Sequence, residues 1–307
     1  MKIQPGLKIT LVHNDKAGSA GSSDELRRIL QRAGHQVVHT WEPEALSALA
    51  ARGELTEGTF AGSELIVVAG GDGTVQRVAT ELPGRELPLA ILPLGTANNI
   101  ATSLGIEGPT ETLVAGWAHA RREPLDLGVA TGPWGAKRFI ESVGGGLVAN
   151  GIIVMDAERP HEEATPEEML EKALGRFRVV LSGMTARRCR LVLDGEVSEP
   201  DLLLCEVLNI RAVGPALRLA PDAEHGDAHF DVVTADESQR EQLDHYLHER
   251  SEGRPCTLEL PMRRARRVGV GGWDRLHIDD TIHADVEGLC VLSVSPAALD
   301  VLVPPRG

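Results

Sequence analysis

The sequence predicts an N-terminal α/β domain followed by a C-terminal, mainly β domain, and three observations predict it. Up to about residue 122, short β-branched runs alternate with stretches of helical periodicity, the pattern of a layered α/β domain. From Pro124 onward the runs read as strand after strand separated by turn residues, with helix the exception. The length, 307 residues, is about what two domains need. The division is placed between 1–123 and 124–307, with the last strand a candidate to return to the first domain.

In the first domain, residues 8–12 read as a strand. Ser22 stands three before Glu25 in capping-box order, and Leu26, Ile29, Leu30 and Ala33 follow at one-face helical spacing. Residues 36–40 form a second strand, while 65–69 and 89–92 are apolar enough to be strands buried on both faces. In the second domain, strands are expected at 139–143, 177–181, 190–193, 202–209, 230–234, 256–260, 291–295 and 299–303. An Asp194-Gly195 turn closes a hairpin after the third of these. Thr165, Pro166 and Glu168 have the order of an N-cap, a first-turn proline and a capping box, which predicts one helix; 238–250 predicts another.

Composition bounds the function. With 42% hydrophobic and 25% charged residues, disorder and collagen-like repeats are excluded. No apolar run is long enough for a membrane helix, and the start lacks the marks of a signal peptide, so a cytoplasmic protein is expected. Cys189, Cys205, Cys256 and Cys290 have no CxxC spacing and read as reduced thiols. A net charge of -14 repels a nucleic-acid backbone, so no nucleic-acid partner is expected.

Glycine-rich turns carry the strongest signal. Gly70-Gly71-Asp72-Gly73-Thr74 ends a strand and opens an amphipathic stretch with Val75, Val78, Ala79 and Leu82 at i, i+3, i+4 and i+7. Glycines permit close backbone approach, and free amides at a helix start attract phosphate. Asp72 would repel a bare phosphate but can hold a hydrated Mg²⁺ that bridges to one; a carboxylate in such a turn is expected to have no packing role. A turn required only for strand-to-helix geometry is the bland alternative. Leu92-Pro93-Leu94-Gly95-Thr96-Ala97-Asn98-Asn99 is a second turn of the same kind, and His13-Asn14-Asp15-Lys16-Ala17-Gly18 ends the first strand in a third. Three such turns on one sheet edge would make a pocket.

These turns resemble those of the diacylglycerol kinase catalytic-domain superfamily, which also holds sphingosine kinases and bacterial YegS-like lipid kinases. The resemblance spans nearly the whole chain. It rests on Asn14, Lys16 and Gly18, on the complete Gly70 to Thr74 motif, on Pro93-Leu94-Gly95-Thr96-Ala97-Asn98, on Asp126-Leu127-Gly128, and on Ala220-Pro221-Asp222-Ala223. GGDGT alone also occurs in NAD kinases; the PLGTxN turn at this spacing with the later PDA is what makes the match specific. The resemblance implies a Rossmann-like α/β domain with a β-rich sandwich domain and transfer of a phosphoryl group from ATP to a lipid hydroxyl with Mg²⁺. It implies Asn14, Lys16, Gly70, Gly71, Asp72, Gly73, Thr74, Gly95 and Thr96 as nucleotide-binding residues, with Asp72 also catalytic through its water-held Mg²⁺.

The chain departs from the family at several places. Asp15 replaces a proline, Arg77 an acidic residue, and Asn99 the aspartate of PLGTxND; Asp227-Ala228 replaces a DG pair. Leu276-His277-Ile278-Asp279-Asp280-Thr281 stands where the family has its DGE motif, so Asp279 is the expected base and Thr281 takes the glutamate's place. A second register, Asp285-Val286-Glu287, keeps both carboxylates, and a hairpin turn with solvated carboxylates is the bland alternative for Asp279 and Asp280. His225, Asp227 and His229 alternate beside Asp222 and Asp231; the resemblance puts a structural Mg²⁺ at Asp227 rather than zinc there. Arg263, Arg264, Arg266 and Arg267 form a basic run, read either as surface ion pairs or as a transient membrane contact for a peripheral enzyme. The expected partner is a lipid substrate, and a homodimer stays open. The rival readings are an NAD kinase-like enzyme and a nucleotide- or lipid-binding protein that has lost catalysis.

Overall fold

A computed structural model describes residues 6–14, 22–82, 84, 86–157, 165–284 and 286–305. The chain divides into two compact units, one made of residues 1–126 and 296–307, the other of residues 127–295. The cut falls just beyond the expected 123/124, and the last strand's closing residues group with the first unit.

In the first unit the order is β1 (Lys8–His13), α1 (Ser23–Arg32), β2 (Gln36–Trp41), α2 (Pro43–Ala51), β3 (Leu65–Gly70), α3 (Asp72–Glu81), β4 (Leu89–Pro93), α4 (Asn99–Ser103) and α5 (Thr110–Gly116). The strands form a parallel sheet in the order β4-β3-β1-β2. β3 is buried along its whole length, as its Leu-Ile-Val-Val-Ala run requires of a central strand covered on both faces. Ser22 caps α1 by accepting from the Glu25 amide, and Leu26 and Leu30 turn inward on Ile9, Leu11 and Val67. The helix α2, which the sequence pattern did not announce, begins on Pro43 at its first turn.

β5 (Arg121–Gly132) passes from the first unit's residues into the second's and pairs with β6 (Gly135–Phe139). The second unit continues with β7 (Ser142–Gly146), α6 (Leu147–Ala157), α7 (Pro166–Gly183), β8 (Arg187–Arg188), β9 (Arg190–Leu193), β10 (Glu196–Ser198), β11 (Asp201–Leu202), β12 (Leu204–Leu208) and β13 (Phe230–Ala235). Then come α8 (Arg240–Ser251), β14 (Met262–Ala265), β15 (Arg267–Gly271), β16 (Arg275–Ile278), β17 (Thr281–Ala284) and β18 (Leu289–Val303). One antiparallel sheet runs β14-β13-β12-β7-β16-β17; against it stands β10-β9-β15 with the first half of β18. Phe139, Cys205, Val207, Phe230, Val232, Val268, Val270 and Leu292 fill the space between the two sheets, the apolar core of a sandwich, with Phe139 stacked on Phe230 at 5.5 Å.

Four expectations for the second unit are corrected. Residues 177–181 are not a strand but the last turns of α7. The Thr165 capping box starts that helix, and Phe177 and Leu181 bury one face while Val179 is 73% exposed on the other, so helical period overrides the β-branched run. Residues 256–260 form no strand; the pairing falls instead on the arginine run, as β14 and β15. Residues 139–143 break at Ile140 and Glu141 between β6 and β7. Helix is also more than the exception: α6, α7 and α8 cover the outer face of the six-stranded sheet, packing Leu147, Leu174, Tyr246 and Leu247 on Leu204, Leu208 and Val233. All four cysteines are free thiols. Among the described residues no helix is long and apolar enough to cross a membrane.

Candidate functional site

The first unit brings the ends of β1, β3 and β4, with the two glycine turns that follow β3 and β4, to one edge of its sheet; the turn after β1 lies outside the described residues beyond Asn14. Parallel pairing sets His13 opposite Ala69 and Gly70 opposite Pro93, so β1, β3 and β4 end side by side. Asn14 follows β1 directly, the His13 ring nitrogen Nδ1 meets the Ala69 carbonyl at 3.1 Å, and the Leu94 amide donates to the Gly70 carbonyl. Lys16 lies outside the described residues.

Gly71 and Gly95 are in backbone contact. A Cβ on Gly95 would stand 2.5 Å from the Gly71 Cα, and one on Gly71 would stand 3.1 Å from the Gly95 Cα, so glycine is required here by space. Gly70 is closed in by the Thr74 side chain, 2.7 Å from where its Cβ would be. Asn98 fixes the second turn from within: its Oδ1 accepts from the Gly95 amide at 2.9 Å and its Nδ2 donates to the Gly95 carbonyl at 2.8 Å. Asn98 itself takes a left-handed φ of 49°, which asparagine tolerates. Gly73 and Thr96 face solvent on the two turns.

Asp72 corrects an expectation. Far from lacking a packing role, its Oδ1 accepts from the Ile100 amide at 3.0 Å, so the carboxylate of one turn holds the helix that follows the other. Burial raises its pKa, against the pull of the amides of Ile100, Asn99 and Asn98, which favour the charged form. The contacting glycines and the helix start of α3 fit a phosphate group. They do not by themselves compose a metal centre, because among the described residues no three His, Cys, Asp or Glu side chains gather to hold an ion.

In the second unit Asp279 is in the hairpin turn between β16 and β17 with a φ of 50°, yet it is only 3% exposed, which overturns the solvated-turn alternative for this residue. Its Oδ1 accepts from the amides of Glu141 at 2.8 Å and Ser142 at 3.2 Å; its Oδ2 accepts from Ile140 at 3.1 Å. Burial pushes the carboxyl up to about 7; the amides of Glu141, Ile140 and Ser142 pull the other way, and Asp280 adds to the rise. Thr281 is exposed and gives its hydroxyl proton to Asp280. In the second register, Glu287 is exposed and Asp285 lies outside the described residues.

Sequence reasoning missed the groups beneath this turn. Glu206 on β12 and His277 on β16 are both fully buried, and the imidazole Nε2 lies 2.9 and 3.1 Å from the two carboxylate oxygens. Gly144 on the strand between them makes room: a Cβ there would be 2.1 Å from Glu206 Oε1. Burial disfavours charge on His277, but the Glu206 charge and hydrogen bond outweigh it and its pKa stands above the ordinary value. A lone Glu inside an apolar strand, Leu204 to Leu208, was the available signal.

Asp227 accepts from the His229 amide at 2.9 Å and pairs with Arg264. Arg263 pairs with Glu196, and Arg266 Nε donates to His229 Nε2 at 3.2 Å, so three members of the basic run have surface partners. Arg77 pairs with Glu44 of α2 at 2.8 Å.

An α/β unit with paired glycine turns at its strand ends, continued by a β-sandwich holding a buried carboxylate, is the layout of a lipid-kinase chain. Residues 8–130 match the diacylglycerol kinase catalytic domain, and residues 146–303 match the YegS C-terminal NAD kinase beta sandwich-like domain. The chain belongs to the diacylglycerol kinase catalytic-domain superfamily. It is 28% identical over 314 residues to a diacylglycerol kinase of Mycobacterium tuberculosis, covering 98% of this chain and 96% of that one. It is 32% identical over 240 residues to a Pseudomonas aeruginosa protein named probable lipid kinase YegS-like, covering 73% of this chain and 71% of that one. A crystal structure described as a diacylglycerol kinase from Bacillus anthracis str. Sterne shares the fold with a TM-score of 0.71 at 18% identity, covering 99% of both chains.

Proposed function

We propose that the protein transfers the terminal phosphoryl group of ATP to the hydroxyl of a lipid. The observation that carries this reading is the contact between Gly71 and Gly95 at the ends of adjacent parallel strands, which leaves backbone rather than side chains to meet a phosphate chain. The amides at the start of α3 would bind the phosphates, with Gly73, Thr74, Thr96 and Asn14 beside them. Mg²⁺ would arrive with the nucleotide and neutralise its charge, held by phosphate oxygens and by Asp72 through water.

Asp279 is the proton acceptor in this reading. Its Oδ1 is taken by three amides, while Oδ2 has only the Ile140 amide, which it shares with Oδ1, and keeps a lone pair for the proton of the attacking hydroxyl. A carboxyl pushed up to about 7 is matched to a base that must accept and return a proton near neutral pH.

The test is labelled ATP offered to a panel of lipid acceptors, with NAD as a control acceptor. Label on a lipid, lost in Asp279→Asn by about two to four powers of ten, supports the reading. Label on NAD instead would overturn it. Thr281, which supplies no carboxylate, favours a second reading as a nucleotide-binding protein without transfer; tight nucleotide binding with no labelled acceptor would select that one.

A further inference from the structure

Asp279 is held from three directions. Its own amide donates to the Ser142 carbonyl at 2.9 Å, its carboxylate takes the amides of Ile140, Glu141 and Ser142, and its carbonyl meets His277 Nδ1 at 2.8 Å. A carbonyl oxygen only accepts, so His277 carries a proton on Nδ1. Nε2 then shares one further proton with Glu206, whose two oxygens both face it.

A buried ion pair is a poor way to gain stability, since well-packed apolar residues of similar volume do as well or better. This one lies on the helix-covered face of the six-stranded sheet, among Leu204 and Leu208, and occupies space that exists only because residue 144 has no side chain. Asp279 meanwhile has a left-handed φ of 50° and must be kept there.

We propose that Glu206 and His277 are a positioning pair for the proposed base: Glu206 orients the imidazole, the imidazole fixes the Asp279 carbonyl, and the fixed turn delivers the carboxylate to the 140–142 amides. This inference rests on the reading of Asp279 as the proton acceptor for its kinetic arm alone. Its structural arm stands without that reading.

The structural arm follows the backbone amide resonances of Glu141 and Ser142 in the full chain as pH is varied. The titratable groups set against the turn are His277 on β16, with Glu206 of β12 behind it, and Asp280 on the turn itself, and the parent's two amides should report the titration of Asp279 together. In Glu206→Gln the amide group donates to a neutral His277 Nε2, so geometry is kept; the shared titration should persist and turnover should stay within about twofold. In Glu206→Leu/His277→Leu the melting temperature should stay near that of the parent while the shared titration disappears. Turnover should then fall by about 10- to 100-fold with KM for ATP unchanged, as expected when a reacting group is displaced by about 1 Å. Gly144→Ala, which drives the carboxylate away without deleting a group, should lose the titration too and serves if the double variant does not fold. The proposal is overturned if either the double variant or Gly144→Ala keeps the shared titration, or if Glu206→Gln loses turnover as the double variant does. Full turnover in Asp279→Asn would sink the base reading and leave the amide titration to judge the positioning pair.

Discussion

Alanine at position 95 tests the packing of the two glycine turns most directly. The added Cβ would be placed 2.5 Å from the Gly71 Cα and 3.0 Å from Asn98 Oδ1, whereas carbon atoms rest at about 3.5 to 4.0 Å. Gly95 is not in the left-handed region, so the strain is one of space alone. Relief needs the turns to part by about 1 Å or more, and both are tied down, one by the Leu94 amide on the Gly70 carbonyl, the other by Asn98. Overpacking of this order costs about 1 to 3 kcal/mol. Gly95→Ala should lose that much in urea denaturation and bind ATP with Mg²⁺ at least about tenfold more weakly in titration calorimetry, because parted turns no longer present their amides to one phosphate chain. Gly71→Ala is the internal comparison: its Cβ would meet the Gly95 Cα at 3.1 Å, a milder intrusion, so its losses should be less than half as large. Equal stability of Gly95→Ala and the parent, or a larger loss in Gly71→Ala, would refute the packing described here.

Asp72→Ala should destabilise the fold by about 1 to 3 kcal/mol in thermal or urea melts, because the buried Ile100 amide loses its acceptor. Asp279 gives a pH dependence with a definite sign. Its folded pKa of about 7 is above the unfolded value, so its favourable contribution is complete below about pH 4 and is lost as pH rises towards 7. The stability of the parent relative to Asp279→Asn should therefore fall by about 4 kcal/mol between pH 4 and pH 8, read from urea melts across that range. Gly175→Ala within α7 meets nothing within 4 Å and should raise the melting temperature, by about 0.5 to 1 kcal/mol of helix propensity.

The parallel sheet was legible because its signals are local: β-branched runs, a Ser22 cap and glycines where strands turn into helices. Where length and period disagreed, the sequence misled. Phe177 to Leu181 has the composition of a strand, but a cap twelve residues upstream had already started a helix whose buried face it completes. The turns of the candidate site were visible, as was Asp279. What each carboxylate touches was not, since the partners of Asp72 and Asp279 come from amides 28 and up to 139 residues away. Glu206 left one signal, a carboxylate in an apolar strand, but its partner did not: 71 residues separate it from His277, and strand pairing through Gly144 is what brings the two within 2.9 Å.

The first unit is discontinuous in sequence, and this orders its assembly during synthesis. Residues 1–126 emerge first, with β4 at the rim of a four-stranded sheet and its outer edge bare. The residues that cover that edge arrive only with β18, where Val301 pairs in parallel with Leu89 and Leu302 enters the core beside Ala90 and Leu92. Everything in 127–295 is translated in the interval and can complete its own sandwich while the earlier sheet waits. At about 5 to 20 residues per second that wait lasts roughly ten to thirty seconds, during which an apolar strand edge is open to other nascent chains. A chain truncated just before residue 296 would therefore carry a complete second unit attached to an adhesive first one, and chaperone demand should fall on the early segment.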